Sequence, residues 1–124
     1  MAGVPNSLPA MVKAYRMQEK TKQVGFEWEN KDQVWEKVEE EMKEFKETID
    51  QDLSAERKEE EFGDILFSLV NYARFQGIDP ETALERINRK FKKRFEYIEE
   101  HADRDLTEMS LEEMDKLWNE AKGK

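Results

Sequence analysis

Residues 31–50 read KDQVWEKVEEEMKEFKETID, and within them Val34, Val38, Met42, Phe45 and Ile49 recur at steps of four or three. That spacing gathers apolar side chains on one face of a helix and is incompatible with the two-residue alternation of a half-buried strand. Asn30 or Asp32 can cap this helix. Working downstream, Ser54 opens a third helix whose apolar positions are Phe62, Ile65, Leu66, Leu69, Val70 and Ala73, with Gly77 where it should stop. Asp79 followed by Pro80 starts a long fourth helix carrying Leu84, Ile87, Phe91, Phe95 and Ile98. Ser110 with Glu113 matches a capping box and opens a short fifth helix bearing Leu111, Met114, Leu117, Trp118 and Ala121. Upstream, the pattern predicts a first helix over roughly Leu8 to Val24, capped by Ser7, with Pro9 in its opening turn and Gly25 as terminator. Its stripe is Leu8, Met11, Val12 and Tyr15. The predicted fold is therefore an all-α bundle of four to five helices. Each helix has one apolar stripe, so the helices must pack on one another, and the short link between the second and third favours an antiparallel pair. Stripes this wide on so small a chain also leave apolar area for a second subunit.

The 124 residues suit one domain, and the scarcity of glycine (five) and proline (three) suits an all-α fold. With no cysteine, disulfides, cysteine-ligated metals and thiol nucleophiles are excluded, and a reducing cytoplasmic location is expected. No apolar run approaches the roughly 18 residues of a membrane helix, and no charged-then-apolar leader opens the chain, so a soluble protein without a membrane partner is expected. A net charge of −9 repels a phosphate backbone and argues against polymeric nucleic acid as a partner. Acidic groups can still meet a phosphorylated ligand when a divalent cation stands between them.

Two acidic pairs make that possibility concrete. Glu41 and Glu44 are three residues apart on the second helix, and Glu61 and Asp64 are three apart on the third. Residues at i and i+3 share a helix face, so an antiparallel pair can converge four carboxylates on one centre. Left alone, such a cluster is unfavourable. Mg²⁺, which takes oxygen ligands and retains waters, relieves it. Lys90 and Arg94 form an i,i+4 cationic edge on the fourth helix that could meet a triphosphate, and Trp35 and Trp118 could stack on a base. The plainer readings are solvated faces for the charges and core positions for the tryptophans.

The stretches VGFEW (24–28), WEKVEEEMKE (35–44) and EEEFGDILF (59–67), continued through Asn71, NRKFKKRF (88–95) and Trp118, resemble the MazG family of nucleoside triphosphate pyrophosphohydrolases over nearly the whole chain. The family motif, Glu-Glu-x-x-Glu and then Glu-x-x-Asp, stands here as Glu40, Glu41 and Glu44 with Glu61 and Asp64. The resemblance implies that Glu41, Glu44, Glu61 and Asp64 hold Mg²⁺, for which Mn²⁺ can substitute, and that Glu40 is a further acidic group able to orient water. It implies nucleotide contacts from Lys37, Arg57, Lys58, Asn71, Lys90, Arg94 and Trp118. It also implies a homodimer or higher homo-oligomer, and hydrolysis of a nucleoside triphosphate to monophosphate and pyrophosphate that clears non-canonical or excess nucleotides. Relatives in the wider superfamily act on dUTP, dCTP and phosphoribosyl-ATP; the match in the fourth helix favours the MazG branch. A non-catalytic helical dimerisation module of the same fold is the competing reading. The opening nine residues, MAGVPNSLP, read as a linker of the kind that precedes the second catalytic domain in two-domain relatives, with residues 1–7 outside the fold proper.

Overall fold

A computed structural model describes residues 1–123. Helices α1 (Ala10–Lys22), α2 (Lys31–Asp50), α3 (Ala55–Phe75), α4 (Pro80–His101) and α5 (Leu111–Ala121) follow in order, with a 3₁₀ turn at Leu106–Glu108. The described residues contain no strand. The fold is all-α. None of the helices is long and apolar enough to cross a membrane. The chain forms two compact units, Met1–Glu81 and the residues from Thr82 onward.

In the first unit α2 and α3 pack against each other, and α1 packs on α3. Asn30, rather than Asp32, caps α2 by accepting a 3.0 Å hydrogen bond from the Gln33 amide, and Ser54 caps α3 through the Arg57 amide at 3.3 Å. Two ring pairs establish the antiparallel register. Trp35 meets Tyr72 at 5.0 Å and Phe45 meets Phe62 at 5.4 Å, so ten residues down α2 correspond to ten residues back along α3. Gly77 takes a φ of +70°, the left-handed turn that ends a helix without the penalty a side chain would incur.

α1 departs from expectation. It begins at Ala10, two residues later than the pattern predicts, and Ser7 does not cap it. Pro9 holds the cap position instead: its extended backbone stands just outside the helix and its carbonyl accepts from the Lys13 amide at 2.9 Å. The segment before it is tied to α1 by Arg16, which donates to the Gly3 carbonyl, and by Lys20, which donates to that of Ala2.

The predicted apolar stripes are only partly buried. Val34 and Val38 are fully enclosed, but Met42, Ile49, Phe62, Leu66 and Leu69 are exposed. On α2 the inward direction runs through Val34, Val38, Glu41 and Thr48, which leaves Met42 and Ile49 on one flank. On α3 burial occurs on two opposite sides, Ile65 and Ser68 on one and Val70 and Arg74 on the other. A helix between two neighbours has no single inward stripe, and Phe62, Leu66 and Leu69 fall in the gap.

In the second unit α5 begins with the predicted capping box: Ser110 Oγ accepts from the Glu113 amide, and Glu113 Oε1 accepts from the Ser110 amide, each at 3.1 Å. Arg104 donates to both Glu113 oxygens at 2.7 Å. This pairing and the cap hold the Glu113 carboxyl down from 4.5 to about 2. Ile98 and Ala121 are buried, whereas Leu84, Ile87, Phe91, Phe95 and Leu111 of the predicted stripes are exposed, Phe91 at 61%.

Candidate metal centre

The packing of α2 against α3 brings the Glu41 side chain to Glu61 and Asp64. Carboxylate oxygens of Glu41, Glu61 and Asp64 lie within 4.8 Å of one another, with Glu41 buried and Glu61 half-buried. Glu41 is 5% exposed. Oε2 of Glu41 and Oε2 of Glu61 are both buried with no hydrogen-bond partner. A buried carboxylate oxygen without a donor is costly, and two of them converging on a third acidic group form a donor set suited to a hard cation.

Electrostatics at the cluster agree. Burial holds the Asp64 carboxyl above its ordinary range, reinforced by the charges of Glu41 and Glu60 and opposed by Lys37. Glu44 is raised chiefly by Glu41, then by desolvation and by Glu40 and Glu61. Glu44 feels the cluster but is outside the group of three whose oxygens meet.

Cations rim the same helices. Lys37 Nζ lies 2.8 Å from Glu41 Oε1 and 3.4 Å from Glu40 Oε2, and its ammonium is stabilised mainly by the Glu41 hydrogen bond. Arg57 approaches Glu61 at 3.7 Å, and Lys58 pairs with Asp52 at 2.8 Å. Asn71, two turns along α3 from Asp64, accepts from Arg74 at 2.7 Å. Lys90, Arg94 and Trp118 belong to the second unit, where the Arg94 guanidinium stands 5.5 Å from the Trp118 ring and Phe91 meets that ring at 5.3 Å. Trp35 is partly exposed against Tyr72.

Sequence reasoning passed over Gln18, Glu27 and Arg74. Arg74 is a buried arginine near the end of α3, paired with Glu27 at 2.6 Å and Glu19 at 3.5 Å, and Gln18 is a buried amide on α1. Polar residues in a run of polar residues carry no periodic signal. Only the Val24–Trp28 stretch hinted that the loop ahead of α2 is more than a connection.

Comparison with known proteins places these residues in a family. The MazG nucleotide pyrophosphohydrolase domain matches residues 29–99. The chain is 47% identical over 119 residues to the nucleoside triphosphate pyrophosphohydrolase/pyrophosphatase MazG of Thermotoga maritima, covering 94% of this chain and 45% of that protein. It is 35% identical over 126 residues to the nucleoside triphosphate pyrophosphohydrolase of Escherichia coli, covering 96% and 47%. It is 65% identical over 65 residues to the uncharacterized protein YabN of Bacillus subtilis, covering 50% and 13%. The chain thus spans about half the length of the first two relatives and a small part of the third. Because the match takes in more than half of the chain and both acidic pairs, the chain belongs to the MazG nucleotide pyrophosphohydrolase domain family.

Proposed function

We propose that this domain hydrolyses nucleoside triphosphates to the monophosphate and pyrophosphate with Mg²⁺ as cofactor and Mn²⁺ as a possible substitute. The observation that carries the reading is the meeting of Glu41, Glu61 and Asp64 oxygens within 4.8 Å, in a group where Glu41 and Glu61 each have a buried oxygen without a partner. Glu41, Glu61 and Asp64 would hold the ion, with Glu44 completing the set by a side-chain rotation one turn along α2. When bound, Mg²⁺ polarises phosphate oxygens, lowers the pKa of water and stabilises the leaving pyrophosphate. Lys37, already at the edge of the cluster, neutralises phosphate charge together with Arg57 and Lys58. Lys90, Arg94, Asn71 and Trp118 are the remaining nucleotide contacts in this reading. Glu40, exposed beside Lys37, is the candidate to take the proton from attacking water.

The same reading makes residues 1–124 a single catalytic domain with residues 1–7 as linker, acting in the cytoplasm on free nucleotides rather than on a polymer or a membrane. A homodimer is part of it: Met42, Leu66 and Leu69 of the first unit and, separately, Ile87 and Phe91 of the second are exposed, and large apolar side chains of this kind are what a subunit interface buries. Removal of non-canonical or excess nucleotides is the physiological role that fits.

Pyrophosphate release from a panel of canonical and modified nucleoside triphosphates, with Mg²⁺ and with chelator, tests the reaction. Metal-dependent formation of pyrophosphate and monophosphate, lost in Asp64→Ala, is expected. Absence of turnover for every triphosphate would remove the enzyme reading and leave a non-catalytic helical dimerisation module.

A further inference from the structure

A cavity of about 540 Å³ opens in the first unit beside α1, the 23–30 loop and the second half of α3, and Gln18, Phe26, Trp28, Asn71 and Arg74 are among its walls. The Arg74 side chain is 4% exposed and is pinned from two directions: Nη2 lies 2.6 Å from Glu27 of the loop, and Nη1 lies 3.5 Å from Glu19 of α1. Those two pairs alone would close α1 and the loop on α3. Arg74 makes a further bond that this closure does not require, from Nη2 to Asn71 Oδ1 at 2.7 Å, one turn back along its own helix. Nη2 thus donates both to Glu27 and to Asn71.

The consequence for Asn71 follows from the chemistry of the pair. A guanidinium has donors and no acceptor, so only the oxygen of the amide can face it, and the NH₂ group must point the other way. Without such a partner an asparagine amide has a broad, roughly two-fold torsion and presents either end. Arg74 cannot turn to release the amide without abandoning Glu27, since one nitrogen serves both. We infer that Arg74 is a positioning residue for the nucleotide: anchored by Glu27 and Glu19, it holds the Asn71 amide in the one orientation that offers its NH₂ to an acceptor atom of the ligand. The inference rests on the proposed hydrolysis for Asn71 as a nucleotide contact. It adds a relay, from Glu27 through Arg74 to Asn71, that contains no residue of the acidic motif and lets the 23–30 loop govern a contact it does not itself make. Lysine cannot substitute, because its ammonium is a point charge without the planar fork that fixes two acceptors at set angles.

Arg74→Lys, Asn71→Ala and the double variant of the full chain, titrated in chelator with AMP and followed by NMR, test the relay apart from turnover. Arg74→Lys keeps a positive charge opposite Glu27 and with it the fold, which thermal unfolding checks. Loss of one hydrogen bond to the ligand lowers affinity on the order of tenfold. Arg74→Lys and Asn71→Ala should each show that loss, and the double variant should bind AMP no more weakly than Asn71→Ala. The side-chain NH₂ resonance of Asn71 in the wild type is a second measurement, which needs no variant to fold; AMP should shift it. Wild-type affinity in Arg74→Lys, losses that multiply in the double variant, or an Asn71 NH₂ unmoved by AMP overturns the inference. Pyrophosphate release distinguishes the two readings. A wild type that hydrolyses nucleoside triphosphates, with KM unchanged in Arg74→Lys, keeps the hydrolysis and removes the relay. A wild type that turns over no triphosphate yet shows the non-additive loss of AMP affinity keeps the relay and removes the hydrolysis.

Discussion

Lys37 Nζ lies 2.8 Å from one oxygen of Glu41, a turn along the same helix, while the other oxygen of that carboxylate is buried without a partner. One half of the group is satisfied by the protein and the other half is left without a donor. In the proposed reading this asymmetry gives a single side chain a folding role through Lys37 and a metal-holding role through its second oxygen.

Replacing Lys37 with methionine should therefore destabilise the metal-free domain. Lys37 is partly exposed, so solvent screening keeps the cost near 1 kcal/mol. Mg²⁺ should restore most of the loss, since a second cation then faces Glu41. Thermal unfolding of both proteins, with and without Mg²⁺, measures this; an equal deficit in the two conditions would separate Lys37 from the cluster.

Asp64 should stabilise the domain less as pH rises. Its folded carboxyl lies above the ordinary value, through burial and then Glu41 and Glu60, so the folded state binds more protons than the unfolded state just above that value. Stability falls as pH rises through this window and the penalty is complete above it. Asp64→Asn should accordingly raise the melting temperature in chelator at pH 7 and make little difference in acid. The Mg²⁺-dependent gain expected of wild type should shrink in the variant and should weaken in wild type as the window is crossed downward. A variant less stable than wild type in chelator at pH 7 would contradict this assignment.

The second unit carries an acid-sensitive cap. Glu113, held down to about 2 by Arg104 and by the Ser110 amide, contributes stability that is present above its unfolded value near 4.5 and is lost as pH falls toward 2. Ser110→Ala should cost about 1 kcal/mol. Circular dichroism between pH 5 and 2, read on wild type and Glu113→Gln, should show less acid-induced loss in the variant.

Leu66 and Phe91 are exposed, and a charge at either would be well solvated in a monomer. Leu66→Glu should convert a dimer to monomers in sedimentation velocity while leaving the helical content near that of wild type. An unchanged sedimentation coefficient from a dimeric wild type would place the interface elsewhere.

The helices were legible because their punctuation is local. Asn30, Ser54, Asp79 with Pro80, and the Ser110–Glu113 box each mark a start that needs only neighbouring residues. Ser7 misled because serine is an equally good turn residue and Pro9 two positions on already fixes the entry to α1. Burial was less legible. Periodicity identifies a stripe but not how many neighbours share it, so it could not tell that α3 is covered on two sides or that Glu41 points inward while Met42 does not. Glu41, Glu61 and Asp64 were visible because each belongs to an acidic pair at i and i+3, Glu41 with Glu44 and Glu61 with Asp64, and residues so spaced share a helix face; that Glu44 stays outside the group of three was not visible. Gln18 and Arg74 were not, because each acquires its environment from residues far away in the chain.

α3 carries Asp64 in its first half and Asn71 and Arg74 in its second, and the Arg74–Glu27 pair ties the 23–30 loop to that second half. Substitutions in the loop or on α1 can therefore redraw the cavity while Glu41, Glu61 and Asp64 keep their places on α2 and α3. One helix thus joins a wall that is free to drift to an acidic group whose position is fixed by the packing of its neighbour.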